Sequence, residues 1–220
     1  MLAPNELLPD PLPSEPLALL SDWLAAATAR SGQPNPNAMV LATANQAGQP
    51  SARVVLCKDL VAEPGYLLFY TNYESHKGQE LAANSRAAAV FHWDAMHRQL
   101  RIEGRVVHSP AAESDAYFAS RPWGSRLGAW ASQQSKPIES RRALLIVVAR
   151  ATARFGAQAV IGRSIPRPAH WGGFRLWFEA IEFWAEGEYR IHDRARYSRR
   201  LTEHGDGFSA GEWSRARLQP

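Results

Sequence analysis

In AMVLATANQAGQPSARVVLCK, residues 38–58, two apolar runs rich in β-branched side chains flank a turn marked by Gly48 and Pro50. Two such runs around a short turn form a β-hairpin. Downstream, YLLFYT (66–71) reads as a third strand, and AAAVFHW (87–93) with RQLRIEGRVVH (98–108) as a further antiparallel pair. Strands that follow one another through short turns, with few helices between them, argue against a parallel doubly wound sheet. The expected fold is mainly β, an antiparallel barrel with peripheral helices packed outside it.

Around this set the chain is punctuated by helices. Residues 1–16 carry Pro4, Pro9, Pro11, Pro13 and Pro16, which cannot sustain a helix interior and read as an extended arm or a lid. Residues 17–220 are expected to form one domain. Leucines and alanines at helical spacing around Trp23 predict a helix over 16–30. Ser75 opens a short helix through Gln79, Glu80 and Leu81. Ser109-Pro110 has the form of an N-cap followed by proline in the first turn, and Pro122 should end that helix near Arg121. Residues 139–155 are helical by composition and 156–170 read as a loop. Strands are expected again at 174–184, 188–194 and 212–218.

Lysine occurs only at Lys58, Lys77 and Lys136, so the other 22 basic side chains are arginines. Residues 1–140 carry a net charge of −2 and residues 141–220 of +6. A basic C-terminal third fits a nucleic-acid surface, a site for phosphorylated small molecules, or simply a solvated arginine-rich face. Cys57 is alone, which excludes an intramolecular disulfide and a cysteine zinc set. The first residues are acidic rather than basic, and the apolar run 143–149 is far short of the ~20 residues of a membrane helix. A soluble, cytoplasmic protein is expected, with neither membrane nor nucleic acid as partner.

Motifs for nucleotide folds, zincins and serine hydrolases are missing: no GxGxxG after a strand, no GxxxxGK[ST], no HExxH and no GxSxG. No metal site is expected. What remains are cations beside hydrogen-bonding side chains at strand ends: RVVLCK (53–58), YTNYESHKG (70–78), RQLRIEG (98–104), QQSKP (133–137) and RIHDR (190–194). Guanidinium forks, an ammonium and Ser/Gln donors are what a phosphate dianion requires. On a strand, Arg190, His192 and Arg194 would project from one face. Tyr117 and Arg121 share a helix face, with Ser125 just after the Pro122 turn.

In combination with SDAYFASRPWGSRLGAWAS, PRPAHWGGFRL, IEFW, RIHDRARY and the terminal RLQP, these stretches make the chain resemble the pyridoxine/pyridoxamine 5′-phosphate oxidase family across about residues 35–220. The resemblance implies a homodimeric, FMN-binding split β-barrel with FMN between the subunits. By motif position it implies flavin contacts from Arg53, Val54, Leu56, Lys58, Tyr70, Thr71, His76, Lys77, Gln99, Gln134, Ser135, Trp184 and Arg194. It implies substrate contacts from Lys58, Tyr117, Arg121, Ser125, Arg190 and His192, with Arg190 and His192 as the catalytic pair. The implied reaction converts pyridoxine 5′-phosphate or pyridoxamine 5′-phosphate to pyridoxal 5′-phosphate, by hydride transfer from C4′ to the flavin N5. O2 then reoxidises the flavin and gives H2O2. The alternatives are a phenazine-biosynthesis type of flavin oxidase and a non-catalytic protein that binds FMN or pyridoxal phosphate.

Several positions depart from the family pattern. His76 stands where a second arginine is expected beside Lys77, Cys57 replaces an aliphatic residue, and Asn35 replaces an acid. The N-terminal arm lacks a basic, tyrosine-bearing segment, and residues 149–163 match poorly. Because Arg53 and Lys58 are five positions apart, a regular strand would point them to opposite faces.

Overall fold

The computed structural model describes residues 7–30, 32–160 and 164–220. The expected hairpin forms from β1 (Ala38–Ala44) and β2 (Pro50–Leu56), in a register that sets Val40 opposite Val54 and Leu41 opposite Arg53. After the short β3 (Asp59–Val61) come β4 (Tyr66–Asn72), β5 (Arg86–Trp93) and β6 (Arg98–His108). The 15-residue β7 (Trp171–Ala185) is followed by β8 (Asp193–Ser198), the hairpin β9 (Leu201–His204) and β10 (Gly207–Ala210), and β11 (Ser214–Leu218).

Nine of these strands form one curled antiparallel sheet, in the order β11-β8-β7-β6-β5-β1-β2, with β4 also on β7 and β3 on β4. The length of β7 organises it. One edge of β7 pairs with β6 throughout, while the other pairs with β4 in its first half and β8 in its second. The alternation expected of strands with one buried face is clearest in β6, whose side chains switch between buried and half-buried along nearly its whole length. The inward faces contribute Leu41, Phe69, Phe91, Leu100, Ile102, Phe178 and Phe183 to a core with almost no solvent exposure. At Gly104 the β6–β7 register shifts, and a Cβ there would meet the Trp177 carbonyl oxygen at 1.8 Å. The bulge therefore requires glycine.

Helix α1 (Leu17–Arg30) closes one end of the core, its Trp23 ring meeting Phe183 edge-on at 5.1 Å. Residues 7–16 lie on the sheet. Leu8 N–H donates to the Asp193 carboxylate at 2.9 Å, and Tyr197 OH donates to the Pro13 carbonyl at 3.0 Å. Residues 1–6 of the expected arm lie outside the described residues. Among the described residues no helix is long and apolar enough to cross a membrane.

Helices α2 (His76–Ala83), α3 (Ala111–Ser120) and α5 (Arg141–Val160) correspond to expected ones. Helix α4 (Trp123–Ala131) does not, because Gly124 and Gly128 weaken its local signal. Leu127 and Ala129 are nevertheless buried in a small core with Phe118 and Phe155, so packing rather than propensity makes it helical. Three further expectations need correction. Helix α5 runs to Val160, so the loop expected from 156 begins later, and residues 161–163 of it lie outside the described residues. Ser109 does not cap α3 with its side chain; its hydroxyl instead bonds that of Ser114 at 2.8 Å. Residues 188–192 are not a strand. Glu188–Arg190 is a tight turn with Tyr189 and Arg190 in the left-handed region, at φ of 54° and 65°, and β8 starts only at Asp193.

Candidate active site

Ser75 caps α2, its hydroxyl accepting the Gly78 N–H at 3.3 Å. A Cβ at Gly78 would lie 2.0 Å from the Tyr73 carbonyl oxygen, so only glycine lets the helix start close against the end of β4. This contact brings Lys77 back over Thr71. Lys77 Nζ donates to Thr71 Oγ1 at 3.2 Å and to Ser75 Oγ at 3.5 Å, and Thr71 Oγ1 donates to Gln134 Oε1 at 3.2 Å. Asn72 Nδ2 donates to the Ser132 carbonyl at 3.3 Å, fastening the loop that carries Gln134 and Ser135 to β4. Lys77 is buried, and among the described residues no acid pairs with it. Burial, followed by the charge of Arg53, lowers its pKa. A dry ammonium beside a helix N-terminus and a second cation calls for an anion.

Arg53 faces the same helix from β2. Its guanidinium donates to the Leu41 carbonyl at 3.3 Å, to the hydroxyls of Thr43 and Ser51, and to Glu80 Oε2 at 3.1 Å. Glu80 also lies 3.0 Å from Nε2 of the exposed His76. The residue in the expected arginine position thus meets an acid of its own helix. Burial alone would raise the Glu80 pKa, but hydrogen bonds from Thr43, Ser51 and Arg53, with the charge of His76, bring it down to about 2. A folded-state pKa below the unfolded one stabilises the protein above the ordinary carboxylate range and loses that contribution as pH falls. The stability lost in Glu80→Gln should therefore be full at neutral pH and shrink between about pH 5 and pH 2. Denaturant melts of both proteins across that range check this; a pH-independent difference would contradict it.

A second cation stands at the other wall of the same cleft. Tyr70, Thr71, Arg121, Ser125, Gln134 and Trp171 line a space of about 390 Å³. Arg121 ends α3, and Ser125 lies in the first turn of α4, its N–H on the Pro122 carbonyl at 2.9 Å. Burial disfavours the charged form of Arg121, partly offset by Tyr117, and its Nη1 is buried without a hydrogen-bond partner. Tyr117 stacks on Tyr70 with ring centroids 3.9 Å apart, and Tyr70 stacks on Trp171 at 5.6 Å. Burial above all pushes the Tyr70 phenol up to about 12, so it stays a neutral hydroxyl. Lys58 is exposed just beyond the end of β2, its N–H on the Leu68 carbonyl at 2.8 Å. Since β2 stops at Leu56, the strand parity that separated Lys58 from Arg53 does not apply. Val54 is 66% exposed, and Leu56 is half-buried.

The remaining expected site residues are elsewhere. Gln99, Trp184 and Arg194 are neighbours across β6, β7 and β8, and the His192 ring lies 4.6 Å from that of Trp184. His192 Nδ1 accepts the Gly187 N–H at 3.2 Å, which in the neutral ring puts the hydrogen on Nε2. Arg190 is exposed on the turn, so it does not share a strand face with His192 and Arg194 as expected. Trp171, beside the first cluster, and Trp184, in the second, are thirteen positions apart on β7, roughly 40 Å at ~3.3 Å per residue. The two tryptophans thus mark opposite ends of β7.

Two buried acids matter here and were not expected. Glu80 holds Arg53, and Glu182 holds Arg194 through Oε1 at 3.1 and 2.7 Å. The signal for Glu182 was present: an acid inside the apolar run EAIEFWA marks a partnered charge.

The residues present fit two phosphates and a flavin. Lys77 is buried and Arg121 half-buried, neither has an acid partner among the described residues, and Thr71, which Lys77 bonds, lines the cleft that Arg121 also lines, with aromatic rings in its wall. Comparison with known proteins agrees. A family model described as pyridoxamine 5′-phosphate oxidase matches residues 25–155, and one described as the pyridoxine 5′-phosphate oxidase C-terminal dimerisation region matches residues 171–220. The chain is 47% identical over 207 residues to the pyridoxine/pyridoxamine 5′-phosphate oxidase of Cereibacter sphaeroides, covering 94% of this chain and 95% of that protein. It is 48% identical to that of Brucella canis over the same shares. Among solved structures, PhzG from Burkholderia lata 383, in complex with tetrahydrophenazine-1-carboxylic acid, aligns over 100% of this chain and 98% of its own at 31% identity and a TM-score of 0.80. A pyridoxamine 5′-phosphate oxidase-related, FMN-binding protein from Nostoc punctiforme PCC 73102 shares the fold, with a TM-score of 0.65 at 15% identity over 92% of this chain and 96% of its own. Since the fold and nearly the whole sequence agree, the chain belongs to the FMN-dependent pyridoxine/pyridoxamine 5′-phosphate oxidase family.

Proposed function

We propose that this protein oxidises pyridoxine 5′-phosphate or pyridoxamine 5′-phosphate to pyridoxal 5′-phosphate, with residues 17–220 acting as one flavin-binding unit. The observation that carries the reading is that buried Lys77 and half-buried Arg121, neither with an acid partner among the described residues, meet at one cleft, Arg121 lining it and Lys77 reaching it through Thr71. Lys77, Arg53, Thr71, Ser75, Gln134 and Ser135 would hold the FMN phosphate beside the N-terminus of α2. Arg121, Tyr117, Ser125 and Lys58 would hold the phosphate of the substrate. When bound, FMN supplies the two-electron acceptor, taking a hydride from the substrate C4′ and passing the electrons to O2 to give H2O2.

Gln99, Trp184, Arg190, His192 and Arg194 would complete each site from a second copy of the chain, since they gather towards the far end of β7 from Trp171 and the cleft. The match of residues 171–220 to a dimerisation region supports this arrangement. His192, fixed at Nδ1 by Gly187, would present Nε2 to the reacting end of the substrate, with Arg190 beside it. Tyr189 and Arg190 at positive φ are costly for residues other than glycine, and such conformations concentrate at functional sites. The chain's own task is chiefly to hold two phosphates and one carbon in register.

The purified protein should be yellow, consume O2 with either phosphorylated vitamer and release the aldehyde. Unphosphorylated pyridoxine should react poorly, because Arg121 would then lack its counter-ion. A colourless protein that cannot be reconstituted with FMN overturns the reading. Flavin binding without turnover would favour a binding protein, and turnover of an unphosphorylated tricyclic acid in preference to either vitamer would favour a phenazine-type oxidase.

A further inference from the structure

The arginines around the proposed site are held in two chemically different ways. Arg53 is held by Glu80 at 3.1 Å, Arg175 by Glu113 at 3.1 Å and Arg194 by Glu182 at 2.7 Å. Each of these carboxylates occupies N–H donors and neutralises the charge it orients. Arg121 has no acid partner among the described residues. Its guanidinium carbon lies 4.6 Å from the ring centroid of Trp171 and 5.6 Å from that of Phe118. An indole face attracts a cation but accepts no conventional hydrogen bond, so it fixes the guanidinium without occupying its donors.

The indole is itself well fixed. Trp171 is 7% exposed, and its backbone is held at both groups: the amide N–H donates to the Pro168 carbonyl at 3.1 Å, and the carbonyl accepts from Arg167 Nη1 at 2.7 Å. Phe118 meets the ring edge-on at 5.1 Å and Tyr70 stacks at 5.6 Å. The next residue must be glycine, since a Cβ at Gly172 would lie 2.0 Å from the Tyr73 hydroxyl.

We propose that Trp171 is a positioning residue that sets the affinity for the substrate phosphate, by holding Arg121 on its ring face while leaving guanidinium donors for the ligand. This rests on the proposed function and extends it to a residue outside the expected contact set. In Trp171→Leu the dissociation constant for pyridoxal 5′-phosphate should rise about tenfold, as the loss of a desolvated cation–π contact implies. The constant for unphosphorylated pyridoxal and that for FMN should each change less than twofold. In turnover, KM for the phosphorylated vitamer should rise more than kcat falls. Trp171→Phe, with a smaller ring face, should fall between wild type and Trp171→Leu.

Equal losses for pyridoxal and pyridoxal 5′-phosphate, or an unchanged constant for the latter in a folded Trp171→Leu protein, overturn the proposal. If Trp171→Leu does not fold, Trp171→Phe carries the test: a loss confined to the phosphorylated ligand supports the proposal, and no difference between the ligands overturns it. Should wild-type protein itself fail to prefer pyridoxal 5′-phosphate over pyridoxal, the functional reading falls, whatever Trp171 does.

Discussion

Replacing Arg121 by alanine should raise KM for either phosphorylated vitamer by about two to three orders of magnitude. A guanidinium fork on a phosphate makes two charge-assisted hydrogen bonds, each contributing roughly 1.5–3 kcal/mol, and every ~1.4 kcal/mol is tenfold. The loss should fall on KM more than on kcat, because the phosphate is held equally in the ground state and the transition state. Fold stability should change little or improve slightly. Among the described residues Arg121 has no acid partner to leave behind, and removal of its buried, unbonded Nη1 offsets the lost contacts with the Trp171 and Phe118 rings. Steady-state kinetics with both vitamers, set beside thermal melts, check this. Unchanged KM would remove Arg121 from the substrate site.

Glu182→Ala should have the largest effect on stability, about 3 kcal/mol or somewhat more. Glu182 is 3% exposed, and its carboxylate serves Arg194 at 2.7 Å and Arg101 at 3.3 Å, with Arg196 at 3.9 Å. Removing one partner of a buried ion pair typically costs ~3–5 kcal/mol because a charge is left uncompensated. The lower end applies here, since Arg101 and Arg196 are 40% and 35% exposed and water can take up part of their charge. For a chain of this length the melting temperature should drop by roughly 6–12 °C. Flavin affinity should fall as well, because Arg194 would keep only the Gln219 carbonyl, at 2.9 Å, to hold it. A Glu182→Ala protein that melts like wild type would show that the three arginines do not depend on this acid.

Most strands could be read directly. β1, β2, β4, β5 and β6 have alternating or continuous apolar patterns bounded by turn residues, and period-two patterning is a local property. The failures have local causes too. RIHDR alternates as a strand would, yet Gly187 permits a turn so tight that a Cβ there would lie 1.7 Å from the Ile191 carbonyl oxygen. That turn removes Arg190 from the strand. The β9–β10 hairpin, whose turn contains Gly205, was missed between two strand expectations, and α4 was hidden by its glycines.

The site was legible as a set of residue types and illegible as an arrangement. Lys58, Lys77, Arg121 and Arg194 stand in recognisable motifs, but motifs do not tell which cation is already neutralised. Arg53 meets Glu80 from 27 positions away, and Arg194 meets Glu182 from 12. Only folding puts those acids there, and among the described residues only folding leaves Lys77 and Arg121 without one.

From the sequence alone came the antiparallel β class, the family, and the donors able to bind two phosphates, because patterning and motifs are properties of consecutive residues. The tertiary structure decided that those side chains fall into two clusters towards opposite ends of β7, and which of their charges meet an acid. Both depend on contacts between residues distant in the chain, set by a long shared strand and by burial, which no local stretch of sequence contains.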